Sequence, residues 1–117
     1  MIDFKIGKPY SFREYNCWDH VAEVRKENGI KTKLFKPKNL DNAYKLITAQ
    51  MQKLESGLTL VDHKIDMDIV IVKKGRTYHC GLCFGDDVIH CSRQLKQVVK
   101  ESFSDFIKTY ESYTLWR

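Results

Sequence analysis

Apolar residues change their spacing along this chain, and the change divides it into a helical part and a strand part. After Asn16, the residues Trp18, Val21, Ala22 and Val24 recur at roughly helical intervals, and Gly29 follows. This predicts a helix over about 17–28, with Asn16 as its N-cap and the glycine as its stop. Leu40, Ala43, Tyr44, Ile47, Met51 and Leu54 hold a 3.6-residue period up to Gly57. That predicts a second helix over about 41–56.

From Asp68 the pattern is that of strands. Asp68 to Lys73 is β-branched and apolar on both faces, which suits a central strand. Thr77–Phe84 reads as a second strand after the turn Lys74-Gly75-Arg76, and Val88–Cys91 as a third after Gly85-Asp86-Asp87. Phe103, Phe106 and Ile107 suggest a short third helix, and Tyr113–Trp116 a last strand. Helices first and an antiparallel meander afterwards read as α+β. The 117 residues are expected to form a single domain, 1–117.

Composition narrows the function. With 43% hydrophobic and 30% charged residues the chain is too apolar for a disordered one. No apolar run approaches the roughly 20 residues that span a bilayer, so no membrane span is expected. The net charge of +5 favours polyanionic partners. Lys31, Lys33, Lys36 and Lys38 cluster in one loop, but no Arg-rich helix, paired CxxC module or aromatic-studded strand appears, so no specific nucleic-acid partner is expected. Residues 1–8 lack the apolar core of a signal peptide, which predicts cytoplasmic synthesis without a Sec signal. Cys17, Cys80, Cys83 and Cys91 are then expected as thiols rather than disulfides.

Cys17 is the sharpest candidate for chemistry. A cysteine in the first turn of a helix meets free N–H groups and the positive end of the dipole, and both favour the nucleophilic thiolate. The plain alternative is a small buried residue at a helix start. On the strand His79-Cys80-Gly81-Leu82-Cys83-Phe84, alternation puts Cys80, Leu82 and Phe84 on one side and His79, Gly81 and Cys83 on the other. The first set should face the core. His79, beside a glycine that leaves space, can act as general base for a thiol on a helix packed across the sheet; the alternative is a surface histidine. His90, on the next strand of the hairpin, can hold the second ring nitrogen of His79, or it is an isolated strand histidine. Asp19 is read as supporting the helix dipole, His63 as a loop residue, and Tyr10 as lining the cleft or packing. His79, Cys80, Cys83, His90 and Cys91 are also zinc-ligand types, but an extended strand points residues 80 and 83 to opposite faces. No metal is therefore expected.

In order and type, these residues resemble the NlpC/P60 cysteine peptidases, in particular the short phage-encoded members. The match runs through Gly7-Lys8-Pro9-Tyr10, Asn16-Cys17-Trp18-Asp19, Met67-Asp68-Ile69-Val70 with methionine where the family has glycine, His79-Cys80-Gly81-Leu82-Cys83-Phe84-Gly85, and Ile89-His90. Phe103-Ser104-Asp105-Phe106 and Trp116-Arg117 extend it, so it covers about 7–117. Most members have Asp-Cys-Ser-Gly where this chain has Asn-Cys-Trp-Asp. Asn-Cys also resembles the lecithin:retinol acyltransferase group, in which the histidine strand precedes the cysteine; here Cys17 comes first. The resemblance implies a papain-like NlpC/P60 α+β fold, N-terminal helices on an antiparallel sheet, and hydrolysis of peptide or amide bonds in bacterial peptidoglycan. Cys17 would be the nucleophile, His79 the base and His90 its orienter, with the Cys17 N–H at the oxyanion and Tyr10, Trp18 and Gly81 at the substrate. It implies no cofactor. Partners would be peptidoglycan peptide stems and virion tail proteins, with the protein virion-associated or acting at the wall. The competing expectations are a phage tail or assembly protein that keeps the fold, and a small zinc-binding protein.

Overall fold

Local chemistry at Asn16 starts the first helix. In the computed structural model, which describes residues 1–32 and 58–117, α1 spans Cys17–Glu27. The Asn16 side chain accepts the N–H of Trp18 at 3.0 Å and of Asp19 at 3.1 Å, while the Asp19 carboxylate accepts the Asn16 N–H at 3.0 Å. This reciprocal cap satisfies donors that a helix start otherwise leaves open. The helix expected at 41–56 and the lysines Lys33, Lys36 and Lys38 lie outside the described residues.

The strands are β1 (Leu60–Val61), β2 (Ile69–Lys74), β3 (Thr77–Phe84), β4 (Asp87–Ser92), β5 (Gln97–Ser102) and β6 (Ser112–Trp116), with α2 (Phe103–Lys108) between β5 and β6. They form one sheet in the order β1-β6-β2-β3-β4-β5, and every pairing in it is antiparallel. The described chain is thus α+β, with a six-stranded antiparallel sheet and two helices. Among the described residues no helix is long and apolar enough to cross a membrane.

Both sheet faces are covered. On one, Trp18, Val21 and Val24 of α1 pack against Ile69, Ile71, Cys80, Leu82 and Trp116. On the other, Val70, Val72, Cys83, Val88 and Leu115 pack with Phe106 of α2. That is why β2 is apolar at consecutive positions: its two sets of side chains enter two cores. β1 and β5 lie outside the sequence expectation. β1 is only two residues long, and β5 reads Gln-Val-Val-Lys-Glu-Ser, with Val98 alone fully buried. The turn into β5 carries no glycine, and Lys96 adopts φ +60° instead.

Two further features hold the frame. Residues 7–10 run along the outer edge of β5: Gly7 N–H donates to Val98 O at 2.9 Å, Val98 N–H to Lys8 O at 3.0 Å and Tyr10 N–H to Lys96 O at 2.9 Å. This strap covers an edge that would otherwise offer unpaired backbone groups. At the entry to β2, Met67 sits at φ +76°, a conformation that costs an L side chain about 1–2 kcal/mol. Met67 is nevertheless kept in place, because its side chain joins the α1 core and its carbonyl accepts Arg25 Nη1 at 2.6 Å. The buried Asp68 beside it accepts from Arg117 Nε and Nη2, each at 2.8 Å, in a two-pronged pair.

Candidate active site

The site forms where the β3–β4 ladder stops. Its register pairs are Leu82 with Ile89, Cys83 with Val88 and Phe84 with Asp87, whereas β4 remains paired with β5 over its whole length. Residues 79–81 and 90–92 continue without register pairs to one another. α1 contacts both strands, and its first residue, Cys17, meets Cys80 and His79 at this open end. α1 itself packs on the Cys80–Leu82 face. The His79 ring lies among groups of the other face: Phe106 at 5.9 Å, Tyr110 at 6.4 Å and nearly parallel, and His90 at 5.0 Å between ring centroids. Thiol and imidazole meet because the ladder ends between them.

Cys17 is half-buried. Its sulfur lies beside the side chain and backbone of Cys80 and beside the His79 ring. The Cys80 thiol does most to hold Cys17 well below the usual thiol range; burial opposes it, and the His79 charge and hydrogen bond add to it. Cys80, deep in the core, moves the opposite way, chiefly through burial and then through Cys17. The thiolate belongs to Cys17, because only that sulfur sits at a helix start beside an imidazole. Burial pushes the Cys83 and Cys91 thiols up to about 12.

His79 Nε2 and His90 Nδ1 are 2.9 Å apart. His90 is buried, and burial first, then the charges of His79 and His20, bring it down to about 3. It is therefore a neutral ring at physiological pH. The Asn16 cap takes the N–H groups of Trp18 and Asp19 and not that of Cys17.

Cys17, His79 and His90 are thus brought together. Tyr10 is nearby: burial, then the Cys17 charge, raises its phenol. Trp18 and Gly81 need correcting as substrate-lining residues. Trp18 is 3% exposed within the α1 core, because its place in the first turn directs the indole down onto the sheet. A Cβ on Gly81 would lie 2.5 Å from Val88 Cγ1 and 3.2 Å from His90 Cβ, so this glycine admits a close approach of β4 and leaves no open space. Asp19 serves the helix start as expected. His20, fully buried, donates from Nε2 to the Phe4 carbonyl at 3.0 Å and belongs to the packing. His63 is an exposed loop residue.

Two neighbours of the site are not legible in the sequence: Cys80 reads as a core residue from alternation, and Tyr110 follows α2 with no motif. Cys80 and Cys83 do lie on opposite faces, one in each core. Among the described residues no group of three or more His, Cys, Asp or Glu side chains is placed to hold a metal ion. No protein-family model matches this chain, and no curated protein matches it.

Proposed function

We propose that this chain is a cysteine hydrolase of papain-like type that cleaves peptide or amide bonds of bacterial peptidoglycan. The observation that carries the reading is the line from the Cys17 thiol to His79 and from His79 Nε2 to His90 Nδ1 at 2.9 Å. A nucleophile, a base and a group that orients the base stand in the sequence that acyl transfer requires.

The Cys17 thiolate attacks the amide carbonyl, and the resulting oxyanion takes the Cys17 N–H. His79, carrying the former thiol proton, gives it to the leaving amine as the C–N bond breaks. A thioester on Cys17 remains. His79 then takes a proton from water, the hydroxide attacks the thioester, and the acid product leaves as Cys17 recovers its thiolate. His90 stays neutral throughout and holds the His79 ring in the plane of both transfers.

The choice of peptidoglycan rests on the family resemblance, and the cationic balance of +5 is compatible with an anionic envelope. Digestion of purified peptidoglycan followed by mass analysis of the fragments tests it. Wild-type protein should release new amine and carboxylate termini, and Cys17→Ala should release none. Intact peptidoglycan after prolonged incubation with wild type, together with slow Cys17 alkylation, would sink the proposal.

A further inference from the structure

We infer that Glu101 is a positioning residue of this site: it sets the tautomer of His90 and, through it, which nitrogen of His79 is free to serve Cys17. The inference rests on the Cys17–His79–His90 reading and extends it by one side chain.

His79 and His90 share one hydrogen bond, Nε2 to Nδ1 at 2.9 Å, and it can run either way. If the His90 proton is on Nδ1, His90 donates to His79 Nε2. Neutral His79 then carries its own proton on Nδ1 and has no lone pair left for a thiol. If the His90 proton is on Nε2, Nδ1 accepts the Nε2–H of His79. His79 Nδ1 is then a bare base, and after taking the thiol proton both ring N–H groups are directed to partners. Only the second arrangement works, and the two histidines alone do not select it.

Glu101 does. His90 Nε2 is buried and has no hydrogen-bond partner, yet Glu101 Oε2 lies 3.8 Å away. At that separation the contact is electrostatic rather than a formed hydrogen bond. A carboxylate attracts an N–H and repels a lone pair, so it favours the proton on Nε2. Register explains the placement. β4 and β5 pair Val88 with Glu101 and His90 with Val99, which puts His90 and Glu101 on one face as diagonal neighbours. The Glu101 side chain is 39% exposed, so water supports its charge.

The groups facing this chain of contacts come from several elements. Asp105 of α2 and His79 of β3 face Glu101; burial, then Asp105, raises its carboxyl, and His79 opposes them. Tyr110 faces Glu101 and Cys17, and His20 of α1 faces His90.

The test uses the full chain with Glu101→Gln and Glu101→Ala, both checked for unchanged near-UV circular dichroism. Nitrogen-15 histidine NMR at pH 7 should show wild-type His90 protonated on Nε2. Glu101→Gln should keep that tautomer, because its amide oxygen still accepts, whereas Glu101→Ala should mix the two. Iodoacetamide alkylation of Cys17 at pH 7 should slow about threefold to tenfold in both variants, the size of a half-unit to one-unit change in the thiolate–imidazolium balance. An unchanged His90 tautomer in Glu101→Ala with unchanged alkylation in both variants would overturn the inference. Wild-type Cys17 reacting no faster than Cys83 and Cys91 would instead overturn the reading of the site, and the His90 tautomer would still decide the role of Glu101.

Discussion

His79 and His90 hold each other at 2.9 Å from two strands that no longer pair at that level. The bond therefore stands in for the missing ladder, and the rings are fixed by one another and by Phe106. Replacing His90 with alanine should lower kcat by at least about tenfold with little change in KM, since an unoriented base misses the transition state more than the ground state. His90→Gln or His90→Asn should retain more activity, because an amide oxygen can still accept from His79 Nε2. Steady-state kinetics on a soluble substrate check the order wild type, amide variants, alanine. A wild-type kcat in His90→Ala would remove His90 from the machinery.

Reactivity should separate the four cysteines. Cys17 is held low while Cys83 and Cys91 are pushed up to about 12, so iodoacetamide at neutral pH should label Cys17 first, as peptide mass mapping would show. The Cys80 thiol supplies the largest share of that effect. Cys80→Ser keeps a donor and should keep Cys17 fast; Cys80→Ala loses it and should slow Cys17. Equal labelling of all four thiols would contradict the assignment.

Acid should destabilise the fold in a defined window. An unfolded histidine takes up a proton near 6.5, but folded His90 resists until about 3. Between those values the unfolded chain binds more protons, so stability is complete above about pH 6.5 and falls towards pH 3. One such group contributes a slope of up to about 1.4 kcal/mol per pH unit. His20, brought down mainly by burial, acts in the same direction. Urea titrations from pH 7 to pH 4 should show this loss, and His90→Gln should flatten the slope. An identical slope in that variant would assign the acid sensitivity to other groups.

Gly81→Ala should damage fold and site together. The added methyl would meet the buried Val88 Cγ1 at 2.5 Å and His90 Cβ at 3.2 Å. Val88 is a short branched side chain in a filled core, so β3 and β4 must part, at a cost of about 1–3 kcal/mol. Moving β4 also carries His90 away from His79, and kcat should fall further than the lost stability explains. A combined thermal-melt and kinetic comparison with Val88→Ala/Gly81→Ala, which removes the obstructing methyl, should show partial recovery of both.

The elements legible in the sequence are those with a strong repeating signal. The α1 stripe, its Asn16 cap and the two-faced β2 announce themselves because each buried position has a like neighbour at the right interval. The hairpin histidines were legible for the same reason, since alternation fixes their face. β5 escaped because a strand with one buried side and a glycine-free turn at Lys96 has the composition of a loop. Gly81 was misread because the sequence shows a missing side chain and not the neighbour that occupies its space. Met67 shows a related competition. Strain of about 1–2 kcal/mol is outweighed by a core side chain whose removal costs about 2–5 kcal/mol, so Met67→Gly should lower the melting temperature despite relaxing the backbone.

The partners that sharpen Cys17 are encoded far downstream of it. α1 and its cap form from adjacent residues, but His79 and Cys80 arrive only with β3, and His90 with β4. A chain made from its N-terminus therefore carries Cys17 as an ordinary thiol through most of its synthesis. Contacts of such long sequence separation form late, after loop closure has been overcome. The lowered thiol of Cys17 is thus a property that switches on with completion of the sheet, and the speed of Cys17 alkylation in a refolding sample should double as a clock for the arrival of β3 and β4.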